Sequence, residues 1–111
     1  SNNTKKTSRR LSNVPESSPT PGQTQVRVYI SGTVQGVGYR YSTVHKAQQL
    51  GIKGWVRNLH DGRVEAVFEG DRATVKKMIN WCYDGPPAAQ VRDILIEHRQ
   101  PQGLPNFETR Y

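Results

Sequence analysis

Residues 52–70 read IKGWVRNLHDGRVEAVFEG. Two runs, IKGWVRN and RVEAVFEG, flank LHDG, whose Asp61-Gly62 pair suits a tight reversal because glycine takes positive φ at no steric cost. In the second run Val64, Ala66 and Phe68 fall on one side, the period of a strand. The stretch predicts a β-hairpin.

What surrounds the hairpin decides the fold. Upstream, Val26, Val28 and Ile30 share one face of a strand, and after a glycine-bearing loop Val44, Ala47 and Leu50 recur at helical spacing up to Gly51, a helix-stopping glycine. Downstream, Asp71 can cap a second helix whose apolar stripe is Val75, Met78, Ile79 and Cys82, ended by Gly85 and Pro86-Pro87. VRDILIEHR, 91–99, reads as a fourth strand, and NFETRY, 106–111, can add a short last one. Strand, helix, strand, strand, helix, strand is the split βαβ or ferredoxin-like arrangement, βαββαβ. It is an α+β sandwich, with one antiparallel sheet covered on one face by two helices. Many unrelated functions use this fold, so function must be argued from a site.

A chain of 111 residues has room for one small core. Residues 1–24 contain only Leu11 and Val14 as sizeable apolar side chains among Ser, Thr, Asn, Pro and basic residues, which predicts a disordered tail ahead of a domain at 25–111. No apolar run is long enough for a signal peptide or a bilayer span, so no membrane partner is expected. The lone Cys82 cannot form an intramolecular disulfide and fits a reducing compartment, so the expectation is a cytoplasmic protein; a monomer is expected as well. Net charge is +7; Lys5, Lys6, Arg9 and Arg10 against Glu16 give the tail +3, leaving +4 for the domain. A basic domain attracts anions, nucleic acid or small phosphates alike.

The loop between the first strand and helix is GTVQGVGYR, 32–40. Glycines let successive backbone N–H groups turn toward an anion, a helix start adds unpaired donors, and Arg40 supplies a permanently charged fork suited to phosphate oxygens. Other phosphate motifs fit less well. A Walker A loop needs a Gly-Lys dipeptide, which occurs nowhere in the chain, and a dinucleotide fingerprint needs a third glycine where Tyr41 stands.

Together, GTVQGVGYR and GWVRNLHDGRVEAVFEG, 54–70, strongly resemble the two signature segments of the acylphosphatase family. In the first segment Gly32, Val34, Gln35, Gly36, Val37, the aromatic Tyr39 and Arg40 match, and glycine at 38 is compatible with a variable family position. The resemblance runs over 25–111, through GPPAAQV to the ending FETRY, and does not cover the tail. It implies hydrolysis of acyl phosphates, which are mixed anhydrides of a carboxylic and a phosphoric acid, without metal, cofactor or covalent phosphoenzyme. Carried over, the phosphate loop is Gln35, Gly36, Val37, Gly38 and Tyr39, acting through backbone N–H groups. Arg40 is the catalytic arginine, also on the phosphate, and Asn58 orients the attacking water. Inorganic phosphate or sulfate would compete for the same cradle. The residue after the asparagine is a hydroxyl residue in some relatives and Leu59 here, so no side-chain hydrogen bond carries over from that position.

Elsewhere the expectations are structural. His45, His60 and His98 show no metal-ligand spacing with one another or with Cys82, and no metal site is expected. Cys82, Trp55 and Trp81 read as packing residues, and Asn58 taken without the family is a turn residue before Asp61-Gly62. The rival reading is a non-catalytic anion- or RNA-binding module of the same fold. KGWVRN begins like the main RNA-binding strand of such domains, but its next aromatic position is filled by Arg57, so nucleic acid is not the expected partner.

Overall fold

β1 (Gln23–Thr33), an inner strand paired on both sides, turns Val26, Val28 and Ile30 into the core, where each is at most 1% exposed. The structure is a computed structural model and describes residues 22–111. After β1 come α1 (Tyr39–Leu50), β2 (Lys53–Asn58), β3 (Val64–Asp71), α2 (Arg72–Asp84), β4 (Gln90–Arg99) and β5 (Phe107–Thr109). The sheet order is β4-β1-β3-β2-β5, with α1 packed against β2 and β5, and α2 against β1, β3 and β4. This is the ferredoxin-like α+β fold. No helix of the described residues is long and apolar enough to cross a membrane.

Three expectations need correction. The sheet is mixed: β4, β1, β3 and β2 pair antiparallel, but β5 lies parallel to β2, with Gly54 opposite Phe107 and Val56 opposite Thr109. The cause is the chain path, since β4 and β5 sit at opposite edges and the segment between them must cross below the sheet and turn back up. The domain also begins earlier than residue 25, because Gln23 and Thr24 pair with Asp71 and Gly70; the rest of the expected tail, 1–21, lies outside the described residues. Third, Asp71 holds the N-cap position of α2 but makes no side-chain capping bond.

The apolar stripe of α1 starts a turn earlier than Val44. Tyr39, Thr43 and Ala47 are its buried residues, while Val44 and Leu50 are half-buried. A tyrosine and a threonine can sit there because their hydroxyls are satisfied: Tyr39 Oη donates to the Cys82 carbonyl at 2.5 Å and Thr43 Oγ1 to the Tyr39 carbonyl at 2.7 Å. Burial raises the Tyr39 phenol far above its usual range and pushes the Cys82 thiol up to about 12. Cys82 is therefore a core thiol, not a nucleophile. Trp81 lies half-buried with its ring 5.8 Å from that of Tyr39. Gly54 has a packing reason of its own, for at φ 141° a Cβ would collide with the Val67 carbonyl and press on Phe107.

The crossing segment is tied down by one carboxylate. Glu69, 3% exposed on β3, accepts from the backbone N–H of Gln102 (2.6 Å), Gly103 (2.8 Å) and Leu104 (2.9 Å) and from Gln25 Nε2 (2.9 Å). Burial alone would raise its pKa, but the donors from Gln102, Gln25, Leu104 and Gly103 outweigh that and hold the carboxyl below its ordinary value of 4.5. A lowered carboxylate pKa stabilises the fold above its unfolded value, and that contribution is lost as pH falls through the folded value. Glu69→Gln should therefore cost about 2 kcal/mol at neutral pH, with the gap to wild type closing toward pH ~3. Urea unfolding at the two pH values checks this; a gap that does not narrow in acid would show that the charge is not what the strap uses.

Candidate active site

The loop after β1 is held by Val34, 1% exposed in the core, and then leaves the sheet through Gly36 (φ 75°) and Gly38 (φ 79°). Neither glycine is there for lack of room, since a Cβ at either would meet nothing within 4 Å; the positive φ is the requirement. Gly38 is the N-cap of α1, and the first helical bond runs from the Ser42 N–H to the Gly38 carbonyl at 3.0 Å. The N–H groups ahead of Ser42 thus have no partner inside the helix. No side chain caps this end and no acidic residue lies in the first turn, so its partial positive charge is left uncompensated.

A cavity of about 280 Å³ opens at this helix start, lined by Val34, Gly36, Gly38, Tyr39, Arg40, Tyr41, Asn58, Thr109 and Tyr111. Arg40 lies half-buried on its wall, its guanidinium 5.2 Å from the Tyr111 ring centre, and no carboxylate among the described residues pairs with it. Asn58 reaches the cavity from the end of β2. Its Oδ1 is shielded from solvent and has no hydrogen-bond partner among the described residues. A buried amide oxygen without a partner is costly.

The sequence-predicted residues Gly36, Gly38, Tyr39, Arg40 and Asn58 therefore line one cavity. Gln35 and Val37 do not line it. Val37 packs against the core, and the Gln35 amide turns toward the hairpin, where Nε2 donates to the carbonyls of Leu59 and Arg63. So Leu59 contributes through its backbone, where a hydroxyl side chain was not available to carry over. Four lining residues were not anticipated: Val34, Tyr41, Thr109 and Tyr111. Tyr41 follows Arg40 in sequence and could have been found by proximity; Thr109 comes in only because β5 pairs with β2 across the sheet edge. Among the described residues no group of His, Cys, Asp and Glu side chains is placed to hold a metal ion.

The acylphosphatase family model matches residues 26–109. An acylphosphatase of Trichormus variabilis is 56% identical over 97 residues, which cover 87% of this chain and 96% of that protein. Among solved structures, an acylphosphatase from Coxiella burnetii superposes with a TM-score of 0.77 at 37% identity, covering 80% of this chain and 94% of the other. The acylphosphatase from Bacillus subtilis gives 0.77 at 35% identity, covering 79% and 99%. Both segments that line the cavity, the 32–40 loop and the hairpin strand ending at Asn58, lie inside the matched residues, and on this ground the chain belongs to the acylphosphatase family of enzymes.

Proposed function

We propose that the protein hydrolyses acyl phosphates to a carboxylate and inorganic phosphate, using the cavity at the start of α1. The observation that carries this is the meeting, on one small cavity, of an unpaired guanidinium, an uncapped helix N-terminus and the Asn58 side chain, whose amide oxygen has no partner among the described residues. The first two recognise a phosphoryl group; the third accepts a hydrogen bond from water.

In the proposed reaction the backbone N–H groups of Gly36, Gly38 and Tyr39, the loop residues that line the cavity, and the Arg40 fork hold the non-bridging phosphate oxygens. Water, hydrogen-bonded to Asn58 Oδ1, forms a bond to phosphorus as the bond to the acyl oxygen breaks. The electron pair leaves on the carboxylate, and the water proton passes to the phosphate product or to solvent. A carboxylate needs no general acid to help it leave, so positioning and charge stabilisation suffice, each preorganised donor contributing ~10² to 10³ in rate. The proposal extends to a monomeric, cytoplasmic enzyme that needs no metal or cofactor, preceded by a tail that takes no part in the chemistry.

Phosphate release from a simple aryl acyl phosphate, measured with a chelator present, tests the reading; turnover no faster than the spontaneous reaction would sink it. Inorganic phosphate and sulfate should inhibit competitively, because the cradle recognises the tetrahedral anion rather than the acyl group. Inhibition that excess substrate does not relieve would place the anion elsewhere.

The nucleic-acid reading is weaker on charge. The helix-free face of the sheet does carry Trp55, half-buried, with the guanidiniums of Arg57 and Arg110 at 5.4 and 4.9 Å from its ring centre. Yet Arg27 and Arg57 share the buried Glu65 at 3.4 and 2.6 Å, Arg63 pairs with Asp61 at 2.8 Å, and Arg110 with Glu108 at 3.1 Å. These arginines are neutralised where a phosphate backbone would need them free.

A further inference from the structure

The Gln35 side chain bridges two parts of the chain that the sheet alone does not connect. Its Nε2 donates to the Leu59 carbonyl at 2.7 Å and to the Arg63 carbonyl at 2.9 Å, both partly shielded from water. A primary amide has two N–H donors, and both are spent here. Leu59 and Arg63 face each other at the mouth of the β2–β3 reversal, joined by the Leu59 N–H to the Arg63 carbonyl at 2.8 Å. One amide thus clasps both sides of that mouth, immediately beyond Asn58 and its register partner Val64.

The reversal does not depend on Gln35 for its own shape. Gly62 N–H donates to the Leu59 carbonyl at 3.2 Å, Asp61 accepts from the Arg63 N–H at 3.1 Å and from its Nε at 2.8 Å, and the Arg63 guanidinium lies 5.0 Å from the Tyr29 ring centre. What the Gln35 amide adds is the relation between the reversal and a loop 24 residues earlier. We infer that Gln35 is a positioning residue: through its side chain it sets the distance between the phosphate loop and the Asn58 amide, and so the placement of the water against the phosphorus. The inference rests on the proposed roles of that loop and of Asn58.

A double-mutant cycle tests it with an aryl acyl phosphate as substrate and inorganic phosphate as inhibitor. Gln35→Met keeps the length and removes both donors; it should lower kcat roughly 10-fold, the scale of a modest misplacement of reacting groups, while the inhibition constant of phosphate changes by less than about 2-fold. In an Asn58→Ala background the same change should lower kcat by less than about 2-fold, because groups acting through one another are not additive. Gln35→Asn, which keeps the amide but withdraws it by one methylene, runs the same cycle with a milder perturbation if the methionine variant does not fold. Equal losses in both backgrounds would overturn the inference while leaving the proposed reaction standing. A rise in the phosphate inhibition constant matching the fall in kcat would also overturn it, showing that Gln35 shapes the cradle instead. Normal turnover by Asn58→Ala alone would overturn both the inference and the water-orienting role beneath it.

Discussion

Asn58→Ala should lower turnover by ~10²-fold or more while the affinity for inorganic phosphate stays within about 3-fold of wild type, the separation expected when a group places the nucleophile but does not hold the anion. The reason lies in where Asn58 sits. It closes β2 opposite Val64, its Oδ1 is shielded and unpartnered, and the Gln35 amide fastens the residue beyond it. Removing the amide takes away an acceptor and leaves the loop and Arg40 in place. Because the lost oxygen had no protein partner, the variant should also keep its melting temperature, so loss of activity will not reflect unfolding. The measurement is kcat and the phosphate inhibition constant on protein whose thermal transition has been recorded. Normal turnover would remove Asn58 from the mechanism.

Arg40→Ala should fail differently. In the proposed reaction its guanidinium faces the phosphate oxygens throughout, so the inhibition constant of phosphate should rise at least ~10-fold and turnover fall by ~10³-fold, since the other donors lose a charge-assisted partner as well. Arg40→Lys should recover little, because an ammonium carries the charge without the planar fork. The same two constants decide the matter. A variant that bound phosphate as well as wild type would show that the helix start alone holds the anion.

The core was legible wherever an element's period was clean. Val26, Val28 and Ile30 on β1, and Val75, Met78 and Cys82 on α2, lie where their spacing put them. It failed where long-range geometry overrode the pattern. Tyr39 looked like part of a loop, but its ring enters the core and its hydroxyl finds the Cys82 carbonyl, a partner 43 residues away. The direction of β5 could not be read from FETRY, because pairing is set by the edge at which the chain arrives. Arg40 and Asn58 came from motifs and share a cavity, whereas Thr109 and Tyr111 were missed: their membership follows from that parallel pairing. The Gln35 clasp was equally hidden, since no spacing rule couples a loop glutamine to carbonyls 24 and 28 residues on.

The position of β5 also bears on how this protein avoids its own copies. Without it, β2 would be the sheet's outer margin, presenting unpaired N–H and C=O groups from Lys53 to Asn58 to any neighbouring chain. The backbone bonds from Gly54 to Asn106 and from Arg110 to Val56, both 2.8 Å, consume some of those groups. A strand of only three residues does this because Glu69 holds the segment leading into it. The same carboxylate that steadies the fold in neutral solution therefore also helps keep β2 covered, and conditions that protonate it should weaken the cover over the strand that carries Asn58.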